Sequence, residues 1–215
     1  MRLVSVNVGL PREVEWQGKT HTTGIFKQPV TGSVAVGTLN LEGDGQADLS
    51  VHGGPTKAVY AYPAEHYAYW KAEFPDMELP WAMFGENLTT EGLFEDTLAI
   101  GDRFSIGTAI LQVTEPRMPC YKLAIRFDRA DIVRVFRKSG RSGFYFGVVE
   151  EGQIRAGDEI TPVSRDPGGI TVADITRLYT TDRSNVDLLR RAIAVEALSE
   201  SWRSYFGHRL EKTGP

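Results

Sequence analysis

From Arg2 to Val149 the chain is a series of short β-branched and aromatic runs, each cut after a few residues by a glycine-marked turn. This punctuation constrains the fold more than any other feature, because it interrupts helical periodicity while leaving strand-length segments intact. The clearest strand candidates are Val34-Ala35-Val36, Thr38 to Leu41, Lys57 to Tyr62, Arg103 to Ile106, Ile110 to Val113 and Phe144 to Val149, and Arg2 to Val8 alternates like a strand. Short strands at such close spacing predict a barrel or a strongly curved sheet rather than an open α/β layer. Ile100-Gly101-Asp102-Arg103-Phe104 and Ala156-Gly157-Asp158-Glu159-Ile160 echo each other. In each, a Gly-Asp turn launches a strand, which predicts similar local architecture without establishing a repeat.

Two helices are expected among the strands. Pro63-Ala64-Glu65 reads as the opening of one, with proline in the first turn and an acid near the positive helix end. It continues through His66, Tyr69, Trp70, Glu73 and Phe74 until Pro75 stops it. The other is Asp131 to Arg137, with Ile132, Val133 and Phe136 on one face and Gly140 beyond its end. Arg165-Asp166-Pro167-Gly168-Gly169 then reads as a linker. After it come three helical segments, Val172 to Leu178, Val186 to Leu198 and Glu200 to Phe206, with Asp182 and Ser199 near the expected caps. Such a tail reads as a docking or dimerisation appendage, which leaves a homodimer open; a helix-turn-helix module is the alternative, its arginines interspersed with acids.

Charge narrows the function classes. With Lys and Arg totalling 24 against 28 Asp and Glu, the net charge is -4. That offers no basic field for general nucleic-acid binding, although a local positive pocket remains open. No apolar run has the length of a membrane span, and the N-terminus lacks the apolar core and small-residue cleavage site of a signal peptide. One cysteine cannot form an internal disulfide, so a reducing compartment, by default the cytoplasm, is expected.

That cysteine sits in Pro116-Arg117-Met118-Pro119-Cys120-Tyr121-Lys122-Leu123, after a strand and before an expected helical turn. Pro119 biases Met118 away from helix, so the thiol is presented at a bend. Arg117 and Lys122 flank it, and positive neighbours favour the thiolate, which is both nucleophile and soft metal ligand. A small buried hydrophobe is the other reading of a lone cysteine. In Asp48 to Lys57, a strand runs into His52, Gly53 and Gly54 and then Lys57, an arrangement suited to an anion or simply to a tight turn. Gly43 to Asp48 lacks the ligand ladder of a calcium loop. Glu86 and Asn87 follow the Pro80-Trp81 turn as ligand contacts or caps, while Lys27 and Arg141 stand in glycine-rich surroundings as pocket cations or solvated charges. Classical hydrolase, nucleotide-binding and zinc-peptidase patterns are missing. The set His52, His66 and Cys120 matches no familiar zinc spacing.

Four segments together resemble the MOSC family, domains related to the C-terminal part of molybdenum-cofactor sulfurases, and most of all its YiiM-like branch. They are Gly24 to Val30, Asp48 to Tyr62 continuing into Glu65-His66-Tyr67, Phe84 to Leu88, and Pro116 to Leu123. The resemblance implies a mostly β fold with helices: a MOSC-type β-barrel-like domain over residues 1–165, then a small C-terminal three-helix domain over residues 166–215. It implies a molybdenum cofactor (molybdopterin) whose metal is contacted by Cys120. The implied activity is reductive removal of oxygen from N-hydroxylated compounds such as 6-hydroxylaminopurine, with electrons from a separate redox protein. A pterin carries a phosphate and polar ring edges, so its pocket needs cations and backbone donors. The suppliers here are Lys27, the His52-Gly53-Gly54 turn, Lys57, Arg117, Lys122 and Arg141, with Asn87 as a contact to the ring or to metal oxo groups. The alternative is a non-enzymatic sulfur carrier with a persulfide on Cys120.

Overall fold

The alternating, β-branched character of the chain is realised as twelve strands in a computed structural model that describes residues 1–48 and 53–213. In chain order they are β1 (Arg2–Val8), β2 (Arg12–Trp16), β3 (Lys19–Thr23), β4 (Gln28–Pro29), β5 (Val34–Val36), β6 (Val59–Pro63), β7 (Leu88–Glu91), β8 (Arg103–Ile106), β9 (Ala109–Pro116), β10 (Phe144–Glu150), β11 (Gly152–Ile154) and β12 (Ile160–Ser164). The helices are α1 (His66–Glu73), α2 (Tyr121–Phe127), α3 (Ile132–Ser139), α4 (Val172–Thr180), α5 (Val186–Ala194) and α6 (Glu200–Lys212).

Eight strands form one sheet in the order β12-β8-β9-β10-β6-β7-β1-β4. Every pairing in it is antiparallel except β6 with β7, which run parallel. A parallel pair needs a long crossover, and α1 lies within it. The sheet curls until its two sides meet. Leu3 N–H donates to Asp158 O (2.9 Å), Ile160 N–H donates to Met1 O (2.9 Å), and Arg2 bridges Glu159. These few bonds join β1 to the approach to β12 without a continuous ladder, so the architecture is barrel-like rather than a fully closed barrel. Gly101 and Gly157, from the two echoing turns, both have positive φ, and the strands they launch pair with each other.

Several expected elements shift. Thr38 to Leu41 is a bend, because Gly37 N–H turns back to Asn40 O (2.9 Å) and Glu151 captures the Thr38 N–H and hydroxyl (2.8 and 2.6 Å). Pro63 closes β6 instead of opening α1, which starts at His66; the Glu65 carboxylate reaches Gly92 N–H (2.8 Å). In the tail, Asn185 rather than Asp182 caps α5, accepting from Leu188 N–H (3.0 Å). α5 stops at Ala194, short of Leu198, and α6 runs on past Phe206 to Lys212. The β2–β3 hairpin escapes strand patterning because Arg12 to Trp16 and Lys19 to Thr23 are largely exposed and polar.

The tail is no loose appendage. Ile170, Val172, Ile175, Leu178 and Phe206 belong to the same buried cluster as Leu3, Phe104 and Phe146 of the sheet. Val172 N–H bonds to Leu98 O (2.9 Å), and the expected linker is pinned where Asp102 accepts from Arg165 (2.6 Å) and from Asp166 N–H (2.9 Å). Among the described residues no helix is long and apolar enough to cross a membrane. A second, aromatic cluster lies under α1, α2 and α3, with Trp70 stacked on Phe136 (5.7 Å, 8°) and Tyr62 on Phe84 (4.4 Å, 24°).

Gly143 sets where β10 enters the sheet. Its φ is 62°, and a Cβ there would lie 2.5 Å from Ala61 O and 2.8 Å from the rings of Tyr60 and Tyr62. Gly143→Ala should therefore cost about 1–3 kcal/mol or more, from overpacking added to backbone strain. Gly140 has a similar φ of 70° but open space around it, so Gly140→Ala should lose roughly 1 kcal/mol from conformation alone. Thermal unfolding of the two variants side by side checks this, and equal losses would contradict the steric account.

Candidate active site

The loops at one side of the barrel converge on a cleft enclosing about 640 Å³, part of it open to solvent. Lys27, Asp44, Lys57, Tyr60, Asn87, Arg117, Cys120, Lys122 and Tyr145 all line it. Cys120 reaches it because β9 ends at Pro116 and Arg117-Met118-Pro119 cannot continue a strand or begin a helix. The cysteine occupies the extended N-cap position of α2 (φ −121°, ψ 175°), with its side chain half-buried.

Arg117 is the central cation. It is 5 % exposed, and its guanidinium lies 5.3 Å from the centre of the Tyr60 ring and 5.1 Å from that of Phe136. Nη1 has no hydrogen-bond partner. Burial works against its charge, but attraction to Tyr60, Tyr145 and Cys120, which are anions at the high pH where an arginine titrates, outweighs this and holds it above the ordinary arginine value. It is a permanent positive charge with an unused donor. Burial also pushes Tyr145 up to about 12 and Tyr60 well above the usual phenol value, so both rings keep their protons.

Lys27 and Asn87 are already committed to a residue that the sequence did not single out. Lys27 is buried against Asp44 in a close ion pair. Burial lowers the lysine pKa, opposed by the charges of Asp44 and Glu86. Asn87 Nδ2 donates to Asp44 Oδ2 (2.9 Å) and to Asn7 O (3.3 Å), while its Oδ1 accepts from Tyr60 N–H (3.1 Å). Gly9 N–H also donates to Asp44 Oδ1 (3.0 Å). Asp44 thus braces the cation side of the cleft; its only signal in sequence is an acid between Gly43 and Gly45. Glu86 likewise faces inward, accepting from the backbone N–H groups of Ala82 (2.9 Å) and Phe84 (3.1 Å) and so fixing the loop before Asn87.

Other expected residues stand elsewhere. Arg141 is not brought to the cleft: its guanidinium covers Tyr69 at 3.8 Å and bonds to Ser139 O (3.1 Å). Gly54 (φ 92°) precedes a single 3-10 turn, Pro55–Lys57, that carries Lys57 to the cleft, and neither Gly53 nor Gly54 is among the residues lining it. His52 lies outside the described residues. His66 bonds to Glu95 (2.8 Å), away from Cys120. Among the described residues no group of three or more His, Cys, Asp or Glu side chains stands ready for a metal ion.

The MOSC domain model matches residues 48–161 and the YiiM-like 3-alpha helix domain model residues 170–213. The chain is 44% identical over 213 residues to YflK of Bacillus subtilis, covering 99% of this chain and 96% of that protein. A protein of Gibberella moniliformis named "Reductase" is 33% identical over 171 residues, covering 78% of this chain and 30% of its own length. The crystal structure of YiiM from Geobacillus stearothermophilus superposes with a TM-score of 0.82 at 36% identity, covering 97% of this chain and 98% of that one. The first matched segment begins at residue 48, so β1, Lys27 and Asp44 complete the barrel and the cleft from outside it.

Proposed function

We propose, from the premise that this chain belongs to the MOSC family and carries a YiiM-like three-helix domain, that it is a molybdenum-cofactor-dependent reductase of N-hydroxylated compounds. The observation that carries this reading is the unpartnered, buried Arg117 nitrogen in the same cleft as Cys120. Leaving a charged donor unsatisfied is costly, and an anionic, acceptor-rich group in the cleft would satisfy it. The cleft fits such a group in other ways too. Lys122 adds positive charge beside Cys120, and Lys57 adds an ammonium whose charge is shared with Glu115 at 3.5 Å. The protonated Tyr145 supplies a neutral polar edge, whereas the Tyr60 hydroxyl is taken by Ser142 O (2.9 Å).

Cys120 would hold the metal as thiolate, the soft ligand of the set. Since no cluster of protein ligands accompanies it among the described residues, the remaining ligands would belong to the cofactor itself. Arg117 and Lys122 would hold its anionic parts, with Lys57 beside them, while Lys27, paired to Asp44, would contribute little net charge. When bound, the cofactor supplies the two-electron chemistry by which an N–O bond is cleaved. The balance is one N-hydroxyl group, two electrons and two protons giving an N–H group and water. A separate redox protein would supply the electrons, in a cytoplasmic setting that keeps Cys120 reduced.

Protein purified from a cofactor-competent host should contain about one molybdenum and one pterin per chain. With an electron donor it should convert 6-hydroxylaminopurine to adenine. Cofactor-loaded protein that reduces no N-hydroxyl compound would sink the enzymatic reading. A gain of one sulfur on Cys120 by mass spectrometry, with no molybdenum, would favour the sulfur carrier instead.

A further inference from the structure

Cys120 also lines a second cavity, of about 770 Å³ and partly open to solvent. This cavity shares Lys57, Met118, Cys120 and Tyr145 with the cleft, and it adds Glu115 from β9 and Trp202 from α6. The two spaces therefore adjoin around Cys120, and the second is walled by the helical tail as well as by the barrel.

Two features of it suit a ligand. Glu115 is 2 % exposed, and its Oε1 lies 3.5 Å from Lys57 Nζ, yet Oε2 has no hydrogen-bond partner. A buried carboxylate oxygen without a donor is a rare and unfavourable state, and a bound N–H group relieves it. Trp202 is half-buried, held edge-on by Tyr179 (5.2 Å, 79°) and packed on Phe206 (5.4 Å). A large flat ring kept partly open at a cavity wall suits stacking against another flat ring. Tyr145, which keeps its proton, can donate to an acceptor on the same ligand.

We infer that this second cavity is the substrate chamber, and that it takes a flat nitrogen heterocycle whose N–H groups donate to Glu115 while Trp202 forms the stacking wall. Its place in catalysis rests on the reductase reading above, whereas ligand recognition stands by itself. The assignment makes the three-helix domain part of the active site: Trp202 decides which substrates present their N-hydroxyl group to Cys120. Compounds lacking a planar ring gain nothing from Trp202.

Calorimetry with the cofactor-loaded, full-length protein and 6-hydroxylaminopurine, without an electron donor, measures binding apart from turnover. Trp202→Leu should raise Kd at least about tenfold, and Trp202→Phe, which keeps a ring and the packing, less than about threefold. Glu115→Gln should weaken binding about tenfold through loss of the carboxylate acceptor, at unchanged molybdenum content. It also keeps the test open if Trp202→Leu does not fold. Unchanged affinity in Glu115→Gln and in Trp202→Leu overturns the assignment, as does a wild type that does not bind the compound. Binding that these substitutions weaken, in protein that never reduces the compound, would uphold the chamber and overturn the reductase reading.

Discussion

Cys120→Ser should abolish reduction of N-hydroxylated substrate, by at least about 10³-fold in kcat/KM, while leaving the fold intact. The separation of the two effects follows from where the residue sits. Cys120 is the N-cap of α2, half-buried, with no side-chain capping bond of its own. Serine is among the preferred N-cap residues and can accept from the first turn of the helix, so stability should hold or rise by about 1 kcal/mol. A hydroxyl is, however, a hard and weakly acidic ligand, and it replaces a thiolate whose softness is what a molybdenum centre would use. Molybdenum and pterin content, thermal unfolding and turnover should be measured on one preparation of each protein. Equal cofactor retention with full activity would remove the central claim about this site. Loss of folding would instead show that Cys120 is chiefly a packing residue.

Asp44→Ala should destabilise the protein by about 3–5 kcal/mol, because it strands the buried Lys27 charge. For a chain of this size that corresponds to a fall in Tm of roughly 10 °C. Three donors lose an acceptor at once: Lys27 Nζ, Gly9 N–H and Asn87 Nδ2, which keeps only Asn7 O. Burial alone already lowers the Lys27 pKa, with Asp44 the largest opposing influence, so removing the carboxylate leaves the desolvation cost uncompensated. The double variant Lys27→Met with Asp44→Leu removes both charges together and should recover a large share of the loss. Urea unfolding of the single and double variants makes a double-mutant cycle. Strictly additive losses would show that the pair is not coupled. The same variants should retain less cofactor, since Asp44 holds Lys27 and Asn87 in the cleft that Arg117 also lines.

Some of this site could be read directly along the chain. The prolines around Cys120 place it at a bend, Arg117 and Lys122 stand on either side of it, and the glycine-bounded runs specify a curved sheet of short strands. The change of texture at Arg165 to Gly169 marks where strands give way to helices, and the structure starts α4 at Val172. These are local properties: backbone restriction, side-chain alternation and charges within a few residues of one another. They hold whatever the rest of the chain does.

Pairing and burial of polar groups needed the tertiary structure, because both depend on segments far apart in sequence. Lys27 and Asn87 read as cofactor contacts, yet Asp44, 17 residues from the first and 43 from the second, draws both into its own network. Arg141 resembled the other pocket cations until the fold laid it over Tyr69. Sheet closure rests on a few bonds between the chain's first residues and those at and just before the start of β12. Trp202 and Glu115 come from opposite sides of the linker, and nothing local to either predicts a shared cavity at Cys120. Local pattern therefore determined most of the strands, the tail and the bend at the thiol, whereas long-range packing alone decided which charges stay available to a ligand, because a buried polar group takes whatever partner the fold brings within reach.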